Sequence, residues 1–178
     1  MNEAFTVPVN GLAQGRTDFR WNAGKEFFAK FENPEILDAD LVVDVAVEKT
    51  GRDVGMDCRM EGSVTVPCDR CLDELRLPVS AGFKLSVEFG PEPAGETSEM
   101  DGDCEIVRLG ERDPVLDLGQ IVYDYACLSL PARKVHKAGG CNPAAMKYLD
   151  SEKMQEQTGS ETLTPFASLK ELMEKKKQ

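Results

Sequence analysis

The chain has 178 residues, enough for one domain of ordinary size with room for a tail. Apolar residues make up 41% and charged residues 30%, which excludes a wholly disordered chain. Lys and Arg number 21 against 32 Asp and Glu, a net charge of −11 that argues against simple polyelectrolyte binding of DNA or RNA, because that mode needs cations to displace phosphate counterions. The balance fits a basic protein partner, or a locally basic patch on an assembly, or solubility alone. The start, Met1-Asn2-Glu3-Ala4-Phe5, has neither a basic n-region nor an apolar h-region, and no stretch approaches the roughly 18 apolar residues of a membrane span. A cytoplasmic location is expected, and with it six reduced cysteines at 58, 68, 71, 104, 127 and 141 rather than a disulfide framework.

In chain order, Phe5, Val7 and Val9 alternate and predict a strand, closed by the turn signal Asn10-Gly11. Trp21 to Phe31 carries Phe27, Phe28 and Phe31 at helical spacing and predicts a helix that Asn33-Pro34 ends. From Leu37 to Phe89 the period becomes two. Leu41, Val43, Val45 and Val47 form one set; Val54, Met56, Cys58 and Met60 form the next, after a turn at Lys49–Arg52. Gly62 predicts a bulge or a sharp bend, and Val64 and Val66 resume the alternation into Cys68. Leu75, Leu77 and Val79, with Pro78 among them, and then Phe83, Leu85, Val87 and Phe89 complete a set of hairpin-linked strands with one buried face.

Residues 91–103 follow as a mobile acidic loop with Glu92, Glu96, Glu99, Asp101 and Asp103 and no Lys or Arg; it reads as a solvated segment or as a docking tip for a cationic partner. Glu105 to Arg108 is a short strand candidate. Asp117 and Gln120 have capping-box spacing ahead of a helical stripe of Leu118, Ile121, Val122, Tyr125 and Leu128, which Pro131 stops. Arg133 to Lys137 is a compact basic cluster. Residues 151–162 read as a polar linker before a C-terminal helix that starts at Thr164-Pro165 and carries Phe166, Leu169, Leu172 and Met173. The expected fold is therefore a single α+β domain over residues 1–178: an antiparallel, meander-like sheet with two or three packed helices.

Cys68-Asp69-Arg70-Cys71 places two thiols three positions apart between two strand patterns, which is half of a structural zinc site. Cys127, at the end of the capped helix, and Cys141, in the Gly-rich segment beyond it, are the candidate second half. Four sulfurs would close a Zn(Cys)4 sphere and leave no catalytic position, and Arg70, Arg133, Lys134 and Lys137 lie close enough in sequence to offset its negative charge or to touch a partner or RNA. His136, the only histidine, could replace a sulfur, but in a basic loop it reads as a surface residue. Cys58 reads as core, and Cys104 has no assigned role. Two rival readings stay open. One is a dithiol redox protein, although a strand pattern follows Cys71 and Asp73 and Glu74 would raise a nearby thiol's pKa. The other is a metal-free protein-interaction module. There is no paired-carboxylate, Ser-His or phosphate-loop machinery to suggest an enzyme.

The segment Val64-Thr65-Val66-Pro67-Cys68-Asp69-Arg70-Cys71-Leu72 resembles the signature of the YceD family, the large ribosomal RNA subunit accumulation proteins. Further matches follow in order: Asp117-Leu118, Leu130-Pro131, Cys141-Asn142-Pro143 and Pro165-Phe166-Ala167-Ser168-Leu169-Lys170-Glu171-Leu172. The resemblance covers roughly residues 35–175. It implies a non-enzymatic role in accumulation or processing of large-subunit ribosomal RNA and in assembly of the large subunit. The partners it implies are a large-subunit precursor, a ribosomal protein or the RNA itself.

Overall fold

The computed structural model describes residues 5–90, 99–110 and 115–149. The described residues fall into two compact units, divided after His136.

The first unit is built on a six-stranded sheet in the order β2-β3-β4-β5-β7-β6. Three long strands, β3 (Asp38–Thr50), β4 (Asp53–Pro67) and β5 (Glu74–Gly90), pair antiparallel, as the short turns between them require. Their registers bring the apolar positions together: Val45 faces Cys58, Cys58 faces Phe83, and Met60 lies between Val43 and Ala81. Leu41, Val43, Val45, Val47, Met56, Cys58, Met60 and Leu85 are all buried. The alternate residues of β4, such as Asp57, Arg59 and Glu61, are exposed. The buried face is covered by α1 (Lys25–Ala29), by the small sheet of β1 (Thr6–Val7) with β8 (Leu116–Asp117), and by α2 (Gly119–Leu128). Aromatic rings lock these layers: Phe5 meets Phe27 at 4.5 Å, Phe31 stacks on Tyr123 at 4.1 Å, and Phe83 stacks on Tyr125 at 4.0 Å.

The structure corrects several expectations. The helix expected over Trp21–Phe31 is shorter: its first residues, Trp21–Gly24, end β2, which runs from Gly15 to Gly24, and α1 keeps Lys25–Ala29. Thr17, Phe19, Trp21 and Ala23 alternate with the exposed Asp18, Arg20 and Asn22, and ten residues of pairing with β3 hold the chain extended as far as Gly24, so the helix that carries Phe27 and Phe28 begins only at Lys25. Gly62 is not a bulge, for the register passes through it unbroken. Its φ is +150°, and a Cβ there would stand 2.1 Å from the Asp40 carbonyl oxygen, so the close approach of β3 requires glycine.

Part of the expected acidic loop is ordered as β6 (Glu99–Asp101), which turns at Gly102 into β7 (Cys104–Gly110). Strand β7 pairs parallel to β5, so the sheet is mostly rather than wholly antiparallel. The remainder of that loop, the expected linker at 151–162 and the expected C-terminal helix lie outside the described residues.

At α2, Asp117 Oδ1 accepts from the Gly119 N–H at 2.8 Å, as a cap does. Gln120 does not reach back; its side chain donates to Asp124 one turn on. Leu118, Val122 and Ala126 form the buried stripe, while Leu128 is exposed. In the second unit, Asn142 opens a helix over residues 143–149, its Oδ1 accepting from the Ala144 N–H at 3.0 Å. Among the described residues no helix is long and apolar enough to cross a membrane.

Candidate metal centre

The C-x2-C motif is the hairpin turn between β4 and β5. Strand β4 ends at Pro67, and two backbone bonds close the turn: Leu72 N–H to the Cys68 carbonyl and Cys68 N–H to the Asp73 carbonyl, both 2.9 Å. The first of these bends the chain so that Leu72 adopts φ +63°. The turn thereby presents amides to a sulfur. Burial pushes the Cys68 thiol up, but the N–H groups of Cys71, Arg70 and His136, with help from the Cys71 side chain, more than reverse this and bring it to about 6. Cys68 is fully buried and Cys71 is 6% exposed.

The segment after α2 is tied to this turn. Asp69 N–H donates to the Lys134 carbonyl at 2.7 Å, and the Asp69 carboxylate accepts from the Lys134 N–H in return. Two residues on, His136 stands with Nδ1 3.4 Å from Cys71 Sγ and Nε2 3.1 Å from the Glu74 carbonyl oxygen. A carbonyl can only accept, so Nε2 carries the proton, and in the neutral ring Nδ1 offers its lone pair to the sulfurs. Metal-bound histidines have this arrangement, with the outer nitrogen anchored to the backbone. Contact with Cys68 raises the His136 pKa; burial opposes it, and Cys71 and the Glu74 carbonyl add to the rise. The thiolate pocket thus draws positive charge.

One ligand atom from each of Cys68, Cys71, His136 and Cys141 lies within 4.8 Å of the others, a group able to hold a metal ion. Three of the four expected ligands are therefore brought together. The fourth member is His136, expected from the sequence to lie at the surface, and not Cys127. Cys127 lies on α2 and is half-buried; burial raises its pKa, and its thiol hydrogen-bonds with the Tyr123 hydroxyl, which also accepts from Asn33 Nδ2 at 2.8 Å. The short spacing His136-x4-Cys141 was the available signal for the histidine.

The remaining cysteines differ. Cys58 points into the sheet's apolar layer, where burial and the neighbouring Asp57 charge push its thiol up to about 12. Cys104 is half-buried at the start of β7, its thiol 4.0 Å from the Glu105 carbonyl. Of the basic residues considered for a partner, Lys134 is engaged within the chain, with Nζ 2.8 Å from Glu35 Oε2 and a side chain only 16% exposed. Arg70 is half-buried, and Arg133 and Lys137 are exposed. The C-x2-C pair sits in a β-turn rather than at a helix N-terminus, so it lacks the dipole that activates a thioredoxin-like thiol.

A family model described as "Large ribosomal RNA subunit accumulation protein YceD" matches residues 56–173, a span that holds all four members of the metal-binding group. No curated protein and no solved structure matches the chain.

Proposed function

This chain belongs to the YceD family, and from that premise we propose that it is a non-enzymatic, cytoplasmic factor supporting accumulation of large-subunit ribosomal RNA during subunit assembly, its β4–β5 turn fixed by one zinc ion. The family's name gives the role in large-subunit RNA accumulation. The observation that carries the metal reading is the convergence of three sulfurs and one anchored imidazole within 4.8 Å. Sulfur and imidazole donors in a closed set of four suit tetrahedral Zn²⁺ and leave no open position for a substrate. In this assignment Cys68, Cys71, His136 and Cys141 are the ligands. Three thiolates around a divalent ion leave a net charge of −1, less than a four-sulfur centre would carry. The amides that already lower the Cys68 pKa favour the thiolate that the metal needs. Arg70, Arg133 and Lys137 border the motif in sequence and offer the charge that offsets the centre.

The partner follows from charge. At −11 the chain is repelled by RNA at long range, and a basic ribosomal protein of the large-subunit precursor is the better match. Purified protein should carry about one zinc per chain, with a cobalt-substituted spectrum of the three-sulfur, one-nitrogen type, and should sediment with large-subunit precursors. Metal-free protein whose dithiol reacts rapidly without a chelator would favour the redox alternative instead.

A further inference from the structure

We propose that Leu72, at the tip of the β4–β5 turn, is a docking finger for an apolar pocket on a basic protein of the large-subunit precursor. The inference rests on the function proposed above and names the surface through which it acts. Two observations carry it. First, the turn forces Leu72 into φ +63°, because its N–H must reach the Cys68 carbonyl at 2.9 Å. That region of backbone space suits glycine or asparagine and disfavours a bulky side chain. Second, the isobutyl group recovers almost nothing from burial in this chain, for it is 78% exposed. A single exposed leucine is ordinary, and a single left-handed residue is ordinary. The coincidence of both is not, since each removes the usual compensation for the other.

Glu32, the other non-glycine residue with positive φ among the described residues, is exposed at φ 51°, but its carboxylate is solvated there. Leu72 has no such compensation, and burial against a partner would supply one. The neighbouring chain indicates the partner's chemistry. Asp73 and Glu74 follow directly and are exposed, and the chain as a whole is acidic. An apolar pocket rimmed by Lys or Arg meets all three side chains, whereas an RNA surface offers phosphates to the two carboxylates. Seated on a hairpin turn that the ligand group holds rigid, the finger binds with little ordering cost.

The test uses the full-length, zinc-loaded chain and two probes: large-subunit ribosomal proteins stripped of RNA, and naked large-subunit RNA. The wild type should bind the protein fraction and not the RNA. L72G should keep the zinc stoichiometry and match or exceed the wild-type melting temperature, because it relieves the backbone, while its binding to the protein fraction falls about ten- to a hundredfold, the loss expected for one buried leucine. A D73K/E74K variant should weaken the same binding, most strongly at low salt. If L72G is folded, zinc-loaded and binds as the wild type does, the docking role is overturned while the wider function stands. Binding of the wild type to RNA alone would overturn the choice of partner. Failure of the wild type to bind either probe would overturn both the docking role and the function it rests on.

Discussion

Strand β4 carries two cysteine environments ten residues apart, at Cys58 in its middle and Cys68 just past its end, and their chemistry runs in opposite directions. At Cys58 the neighbours are apolar side chains, and the strand's amides are committed to the sheet ladder. Burial is then unopposed, and the thiol is pushed up to about 12. At Cys68 burial is no less complete, yet the turn frees the amides of Cys71 and Arg70 to point at the sulfur, and the segment tied on through Lys134 brings the His136 amide as well, so the thiol falls to about 6. The reactivity of a buried thiol is therefore set by where the adjacent N–H groups are aimed. A strand makes an inert cysteine; a turn makes a thiol suited to holding a metal.

The largest test of this contrast is at the turn. His136→Ala removes one of the four side chains of the group able to hold a metal, and zinc affinity should drop by at least about a hundredfold, measured by competition with a chromophoric chelator. Cys58→Ala on the same strand should leave zinc content unchanged, and its loss of metal would erase the distinction.

Next in size is the strand between the two. Gly62→Ala places a Cβ against the Asp40 carbonyl and meets a left-handed φ of +150°, so a destabilisation of about 2–4 kcal/mol is expected in urea. A smaller value would mean that β3 and β4 slide apart at little cost.

The pH dependence of Cys58 sharpens the comparison further. Its folded pKa lies above the ordinary value of 9, so the fold favours the neutral thiol. The contribution is fully present below pH 9 and is lost as pH rises toward 12, up to about 3 kcal/mol near pH 11. Cys58→Ala should flatten this alkaline decline in chemical denaturation, and an unchanged slope would place the proton elsewhere. The smallest expected effect is at Cys127, where Cys127→Ala should retain about one zinc per chain and shift stability by about 1 kcal/mol through lost contact with Tyr123. Loss of zinc there would restore the four-sulfur set that the sequence suggested.

Much of the sheet was legible beforehand. The alternation of Leu41 through Val47, of Val54 through Met60 and of Phe83 through Phe89 fixes which side chains are buried, and Gly51 marks the first hairpin at φ +64°. The same rule applied to Thr17, Phe19, Trp21 and Ala23 would have found β2, but the phenylalanines that follow have helical spacing and masked it. The parallel pairing of β7 with β5 had no local signal, since Cys104 to Gly110 reads the same in either direction.

The order of residues alone determined the long strands β3, β4 and β5 and the C-x2-C turn with its two sulfurs, because periodicity and turn chemistry act over a few residues. Only the tertiary structure decided which distant residues join them, His136 and Cys141. One backbone bond and one carboxylate bond between Asp69 and Lys134, 65 positions apart, tie the segment that carries His136 to the turn, while Cys127 on α2 contacts Tyr123 instead. Contacts of that separation depend on how layers pack, and no local pattern encodes them.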